Sequence, residues 1–237
     1  MKHFLGQKFL LATVSALLFA ACGDDDSDFI SHADSSMSMS TVTDARDNQT
    51  YKTVKIGKQW WMAENLNYEA PNSYCYNDED SYCAKYGRLY TWAVAMDSAG
   101  LLSTDGLGCG NGEYCSPNLP VRGVCPEGWH LPSAEEFETL FNAVGDPDET
   151  SGWALKSKTG WSYTERNTDE FSFTALAAGF RFDNGEFLYE GEFTEFWSIA
   201  EYHPNMAKAM YLSYSYGDVY LTADHKYNAA SVRCIKN

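Results

Sequence analysis

The residues in this chain of 237 that could do chemistry are first its seven cysteines, at Cys22, Cys75, Cys83, Cys109, Cys115, Cys125 and Cys234. Thiols pair, bind metal or attack a substrate, and their spacing separates these uses. No Cys-x-x-Cys occurs and the 5 histidines are scattered, a poor pattern for zinc. Two cysteine pairs lie close in sequence, which predicts bridges from Cys75 to Cys83 and from Cys109 to Cys115. Each would close a loop rich in Asn, Asp, Gly and Tyr. Cys125 with Cys234 would then tie the middle of the chain to its end, other pairings staying open. Among the carboxylates, Asp146-Pro147-Asp148-Glu149-Thr150 opens like a calcium loop, but its twelfth position is Ser157 and not Glu, so it reads as a linker after a helix. Lys156-Ser157-Lys158-Thr159 lacks the glycine loop of a phosphate cradle, and no Gly-x-Ser-x-Gly is present. His130, between Trp129 and Leu131, reads as a buried, hydrogen-bonded structural residue. No catalytic set, metal or cofactor is expected. The remaining reactive surface is aromatic, with 16 Tyr and 7 Trp. Trp60, Trp61, Trp92, Trp129 and Trp197 lie in core-like runs, whereas Tyr74, Tyr76, Tyr82 and Tyr114 lie in the stapled loops and are the candidate ligand-binding residues.

The first 21 residues place Lys2 and Lys8 around a polar start, followed by an apolar stretch from Phe9 to Ala21. That stretch is shorter than the roughly 20 residues a spanning helix needs and reads as a secretion signal. It ends Leu18-Phe19-Ala20-Ala21-Cys22, which resembles the lipobox of bacterial lipoproteins, with Phe19 departing from the usual aliphatic residue. The resemblance implies a diacylglycerol on the Cys22 thiol. Setting Cys22 aside leaves an even set of six cysteines, suited to an oxidising compartment. Residues 22–40, with Asp24-Asp25-Asp26 and a Ser/Met run, carry no periodicity and read as a solvated acidic tether. Acidic residues directly after such a cysteine resemble the signal that sends some lipoproteins to the outer face of the outer membrane. Lys plus Arg number 17 against 33 Asp plus Glu, so the net charge is −16, and so acidic a surface repels phosphate backbones. Nucleic acid is excluded as a natural partner, and contact with a membrane is expected only through the lipid.

These residues need a frame, and from Thr41 the pattern supplies one. Tyr51 to Ile56 alternates, Gly57-Lys58 turns, and Gln59 to Met62 returns as a hairpin. Ser133 with Glu136 is a capping box, and Phe137, Leu140, Phe141 and Val144 fall at helical spacing, which predicts a helix ending near Gly145. A second helix is expected over Tyr90 to Ala99 and a turn over Gly152 to Ser157. Phe171 to Ala175 alternates as a strand, Asn184-Gly185 predicts a hairpin between Gly179–Phe182 and Glu186–Tyr189, and Met210, Leu212 and Tyr214 share a strand face. Few helices among many short antiparallel strands make an α+β domain over 41–237 with no internal boundary.

Four blocks carry a family likeness: Val54 to Tyr68 with Gly57-Lys58-Gln59-Trp60-Trp61-Met62 inside it, Tyr86-Gly87-Arg88-Leu89-Tyr90-Thr91-Trp92, Cys125-Pro126-Glu127-Gly128-Trp129-His130-Leu131-Pro132, and Ser231-Val232-Arg233-Cys234. In that order they resemble the Fibrobacter succinogenes major paralogous domain, a family of exported bacterial proteins, often lipoproteins. More distantly, Gly-Trp-His-Leu-Pro with the terminal Arg-Cys resembles the C-type lectin-like fold of formylglycine-generating enzymes, which implies a compact domain with long loops on one side. The active cysteine pair of those enzymes has no counterpart beside Cys234. The sugar-binding triplets of calcium lectins are matched only by Ala70-Pro71-Asn72 and His203-Pro204-Asn205. The expectation is a lipid-anchored cell-surface module that binds polysaccharide or an envelope protein without catalysis. The alternatives are an enzyme related to the formylglycine-generating fold and a purely structural envelope protein.

Overall fold

The computed structural model describes residues 38–237, which fall in one compact unit. The expected signal, the lipidated Cys22 and nearly all of the tether lie outside the described residues. The chain opens with β1 (Met39–Thr43), which pairs antiparallel with β2 (Thr50–Ile56), and β2 turns at Gly57 into β3 (Gln59–Met62). Gly57 has φ +58°, a left-handed conformation that glycine adopts without cost. The first described strand thus begins at Met39, two residues inside the expected tether. Apart from the half-buried Val42, the side chains of β1 face solvent, so the strand is held mainly by its backbone ladder and leaves no hydrophobic period to read.

The next segment carries β4 (Ser73–Tyr74), a 3-10 turn (Tyr76–Asp78), α1 (Asp80–Tyr86), β5 (Leu89–Thr91) and α2 (Trp92–Ala95). The long helix expected over Tyr90 to Ala99 is therefore a strand followed by one helical turn. Tyr90 pairs with Ala230, and Asp97 ends the turn at φ +54° while its carboxylate accepts the N–H groups of Leu101, Leu102 and Ser103. Then come β6 (Trp129–His130), α3 (Ala134–Val144), α4 (Ser151–Leu155), β7 (Phe180–Arg181), β8 (Phe187–Leu188), β9 (Phe193–His203), β10 (Met206–Ser213), β11 (Tyr220–His225), β12 (Ala229–Ala230) and β13 (Ile235–Lys236). They make three antiparallel sheets, ordered β1-β2-β3-β13-β6, β11-β10-β9 and β4-β5-β12-β7-β8. The α+β class holds, with four short helices among curled antiparallel sheets in the described residues. The last strand lies between β3 and β6, pairing Ile235 with both Trp61 and His130.

Helix α3 forms as its sequence dictates. Ser133 accepts the Glu136 N–H, Glu136 accepts the Ser133 N–H in return, and the buried face of Phe137, Leu140, Phe141 and Val144 packs on Val54, Ile56 and Trp61. The Trp61 and Phe137 rings stack at 5.4 Å. A second core gathers Met62, Tyr90, Trp92, Trp129 and Trp197, and Trp60 is half-buried against it. His130 is buried, with Nδ1 at 2.7 Å from Asn237 Oδ1 and Nε2 at 3.0 Å from Glu136 Oε1. Bridges join Cys75 to Cys83, Cys109 to Cys115, and Cys125 to Cys234, with Cα separations of 4.8, 4.7 and 6.0 Å.

The strand expected over Phe171 to Ala175 does not form. Ser172 and Thr174 take φ +52° and +54°, and the Asp169 carboxylate holds Thr174 through both its N–H and its hydroxyl. The carbonyls of Phe173 and Thr174 instead accept from the Arg233 guanidinium, which is fully buried and also donates to Asn65 Oδ1. Burial pushes Arg233 down to about 9. Lys156 is equally buried, donating to the carbonyls of Ser213 and Tyr216 at 2.6 Å each beneath the Trp153 ring, and burial lowers its ammonium to about 7.

Candidate functional site

The four tyrosines singled out from the sequence part company. Tyr76 is 6% exposed, its ring centroid 5.3 Å from those of both Tyr82 and Phe187, and its hydroxyl accepts the Glu190 N–H. Tyr82 is half-buried beside Tyr76 and Tyr86, and Tyr74 is half-buried beneath the Arg181 guanidinium at 4.0 Å. These three are not an open binding face. Helix α1 turns the first stapled segment inward, where its aromatic side chains form a small third core with Leu89, Ala178 and Ala229. Tyr114, in the second stapled loop, is 78% exposed.

That second loop is rigid because distant segments fasten it. The Lys226 ammonium, fully buried, donates to the carbonyls of Gly110 and Glu113 at 3.1 Å each, pairs with Glu201 Oε1, and lies 4.3 Å from the Trp92 ring centroid. The other Glu201 oxygen accepts the Cys115 N–H at 3.1 Å, and Gly112 donates to the Pro204 carbonyl at 2.9 Å. A buried charge with every donor satisfied costs most to disturb, so this cradle clamps residues 110–115 onto the β9–β10 turn. Nearer α2, the chain passes so close to the Met96 carbonyl that a Cβ at Gly106 would lie 2.0 Å from its oxygen, which only glycine permits.

Beside the loop opens a cavity of about 360 Å³, lined mainly by Tyr68, Ala70, Pro71, Val94, Leu101 and Leu102, with Asp97 and Ser98 at its polar edge. Arg46 holds its Tyr68 wall, the guanidinium 3.8 Å from the ring centroid while donating to Asp44 and to the Val124 carbonyl. Burial raises the Asp44 carboxyl, but the Arg46 hydrogen bonds outweigh it and leave the group below its ordinary value. Leu101, Leu107, Leu119 and Tyr202 are exposed along the same loops and the adjoining end of β9. Rigid backbone, an apolar cavity and exposed large apolar side chains make a surface built for contact.

A second aromatic feature had no sequence signal beyond strand propensity. Phe193, Tyr211 and Tyr220 form a row across the β9–β10–β11 sheet, with successive centroids 5.6 and 5.2 Å apart, and Tyr189, just before β9, stacks on Phe193 at 4.2 Å. Register aligns the three strand residues, since Tyr211 pairs with Tyr220 and Ser213 with Phe193. Beside this row Glu195 is almost wholly buried, and burial followed by the nearby Asp224 carboxylate holds its carboxyl well above the ordinary value. Among the described residues no group of three or more His, Cys, Asp or Glu side chains is placed to hold a metal, and no helix is long and apolar enough to cross a membrane.

The fold and its fastened loops define a small α+β domain stapled by disulfides. The profile described as the Fibrobacter succinogenes major domain matches residues 54–236, and the chain belongs to that family. No curated protein matches the chain, and no solved structure does.

Proposed function

We propose that this is an exported, lipid-anchored cell-surface protein of the bacterial outer membrane, whose domain binds a polysaccharide or an envelope protein without catalysing a reaction. The binding face is the second stapled loop with its neighbouring cavity, from Tyr68 and Leu101 to Tyr114 and Tyr202. The observation that carries this reading is the Lys226 cradle. It immobilises a surface loop that bears an almost fully exposed tyrosine, which lowers the ordering cost of binding while leaving stacking area in the open. Export and anchoring rest on the Phe9 to Cys22 segment and the odd cysteine count. The lectin-like arrangement implied by the distant resemblance belongs to the same reading.

The test is a binding screen of the purified protein against plant and bacterial glycans and envelope proteins. Tyr114→Ala and Leu101→Ala should each weaken a ligand at least about tenfold, as truncated interface anchors do, with unfolding unchanged. Equal binding by both variants would place the face elsewhere, and turnover of any screened substrate would move the protein to the enzyme class.

A further inference from the structure

The ring row on the β9–β10–β11 sheet lies at the surface. Tyr220 is 46% exposed and Tyr189, stacked on Phe193, is 38% exposed, while Phe193 and Tyr211 are half-buried. The buried Phe180 ring packs against Tyr189 and Phe193 with centroids 5.3 and 5.7 Å away, so these rings are ordered before any ligand arrives. One ring from each of the three strands sets a line across them, each step close to one strand spacing of about 4.8 Å. The only Lys or Arg on these strands is Lys208, which alternation turns to the face opposite Tyr211, where it lines a groove with Glu138 and Phe141 of α3. Glu195 lies opposite Tyr211 in the register and hence on the row's face, 6% exposed, with its Oε2 lacking a hydrogen-bond partner.

We propose that this row is a second binding face, which takes a neutral linear polysaccharide laid across the three strands. Sugar rings present apolar C–H faces and hydroxyl edges, and tyrosine matches both with its ring face and its phenol hydroxyl. Rings in a line suit an extended chain, whereas a small ligand is held in a concave pocket. The four rings expose roughly a few hundred Å² in all, short of the about 800 Å² that each partner gives to a stable protein interface, so a second copy or another protein fits less well. Charge then selects the polymer. The chain carries −16 and these strands turn no Lys or Arg to the row's face, so a chain of uronates or sulfated sugars is repelled. Burial holds the Glu195 carboxyl well above its ordinary value, and a sugar hydroxyl that reaches it between Tyr211 and Phe193 meets an un-ionised group that both donates and accepts. Phe193 opens β9 and Tyr202 lies near its end, so this face stands apart from the second stapled loop and does not depend on the role proposed for it.

The experiment is affinity electrophoresis of the full-length protein through gels holding mixed-linkage β-glucan, xylan or, as the anionic control, polygalacturonate. The parent should be retarded by at least one of the two neutral polymers and not by polygalacturonate. Tyr220→Ala and Tyr189→Ala should each weaken that binding about tenfold, as truncated anchors do, while Tyr220→Phe, which keeps the ring, should retain most of it. If Tyr189→Ala fails to fold, the more exposed Tyr220 carries the test alone. The loss from Tyr220→Ala should be as large in a Tyr114→Ala background as in the parent, which reads the row apart from the stapled loop. Neutral polymers that bind Tyr220→Ala as tightly as the parent would place the site elsewhere and overturn the proposal. A parent retarded by neither neutral polymer, or as strongly by polygalacturonate, would overturn it too.

Discussion

Tyr76 and Tyr114 are the same residue type, each inside or beside a short disulfide loop, and they have opposite fates. Tyr76 fills the small core over β7 and β8. Tyr76→Ala should cost about 3 to 5 kcal/mol, the range for truncating a buried aromatic ring, read by chemical denaturation. Tyr114→Ala should stay within about 0.5 kcal/mol of the parent. The His130 and Glu136 pair makes a second residue-scale prediction. Burial works against the charged ring, but the hydrogen bonds to Glu136 and Asn237 outweigh it and raise His130 above its ordinary 6.5. Burial likewise works against the Glu136 carboxylate, yet His130 and Ser133 draw it below 4.5. The His130 share of stability is full below 6.5 and is lost as pH rises through its raised value; the Glu136 share is full above 4.5 and is lost as pH falls through its lowered value. The pair therefore stabilises most between these limits. His130→Gln should flatten the decline in stability seen by denaturant titration as pH rises above 6.5, and an unchanged slope would remove the pair from that role.

At the scale of elements, buried cations act as fasteners between segments that share no sheet. Arg233 takes the carbonyls that a strand over Phe171 to Ala175 would have placed in a ladder, which explains why an alternating sequence there is not a strand. Arg233→Met should cost about 3 to 5 kcal/mol, since it orphans two buried carbonyls and the Asn65 amide oxygen. Lys226 does the same for the second stapled loop. Lys226→Met should leave the Cys109 to Cys115 bridge in place while speeding hydrogen exchange at Gly112 and Cys115, whose N–H groups are bonded to Pro204 and Glu201. Exchange as slow as the parent's would show that the bridge alone holds the loop.

At the scale of the whole molecule, the first sheet gathers β1 from the start of the described chain, β6 from its middle and β13 from its end, and the Cys125 to Cys234 bridge locks that arrangement over a sequence separation of 109. Cys125→Ala with Cys234→Ala should cost about 2 to 5 kcal/mol, the usual loss for a native bridge in a small domain. The neighbouring pairs close short loops and should cost less when removed on loop-closure grounds, a ranking that calorimetry of the three double variants would check.

What the sequence by itself determined is whatever depends on neighbours along the chain. The capping box and apolar spacing of α3, the β2–β3 hairpin around Gly57, the short Asn184-Gly185 hairpin and the two local disulfides follow from residues a few positions apart. The four blocks of family likeness are equally local, each a short run read in order. Tertiary structure alone decided which tyrosines are buried, why Phe171 to Ala175 is not a strand, and how the second loop is held. Those outcomes rest on hydrogen bonds between residues far apart: Lys226 meets Gly110 across 116 positions and Arg233 meets Phe173 across 60. A backbone carbonyl carries no residue type, so nothing in the letters marks Gly110, Glu113 or Phe173 as an acceptor for a buried cation. Only folding brings donor and acceptor together, and it is there that a surface loop becomes a rigid one.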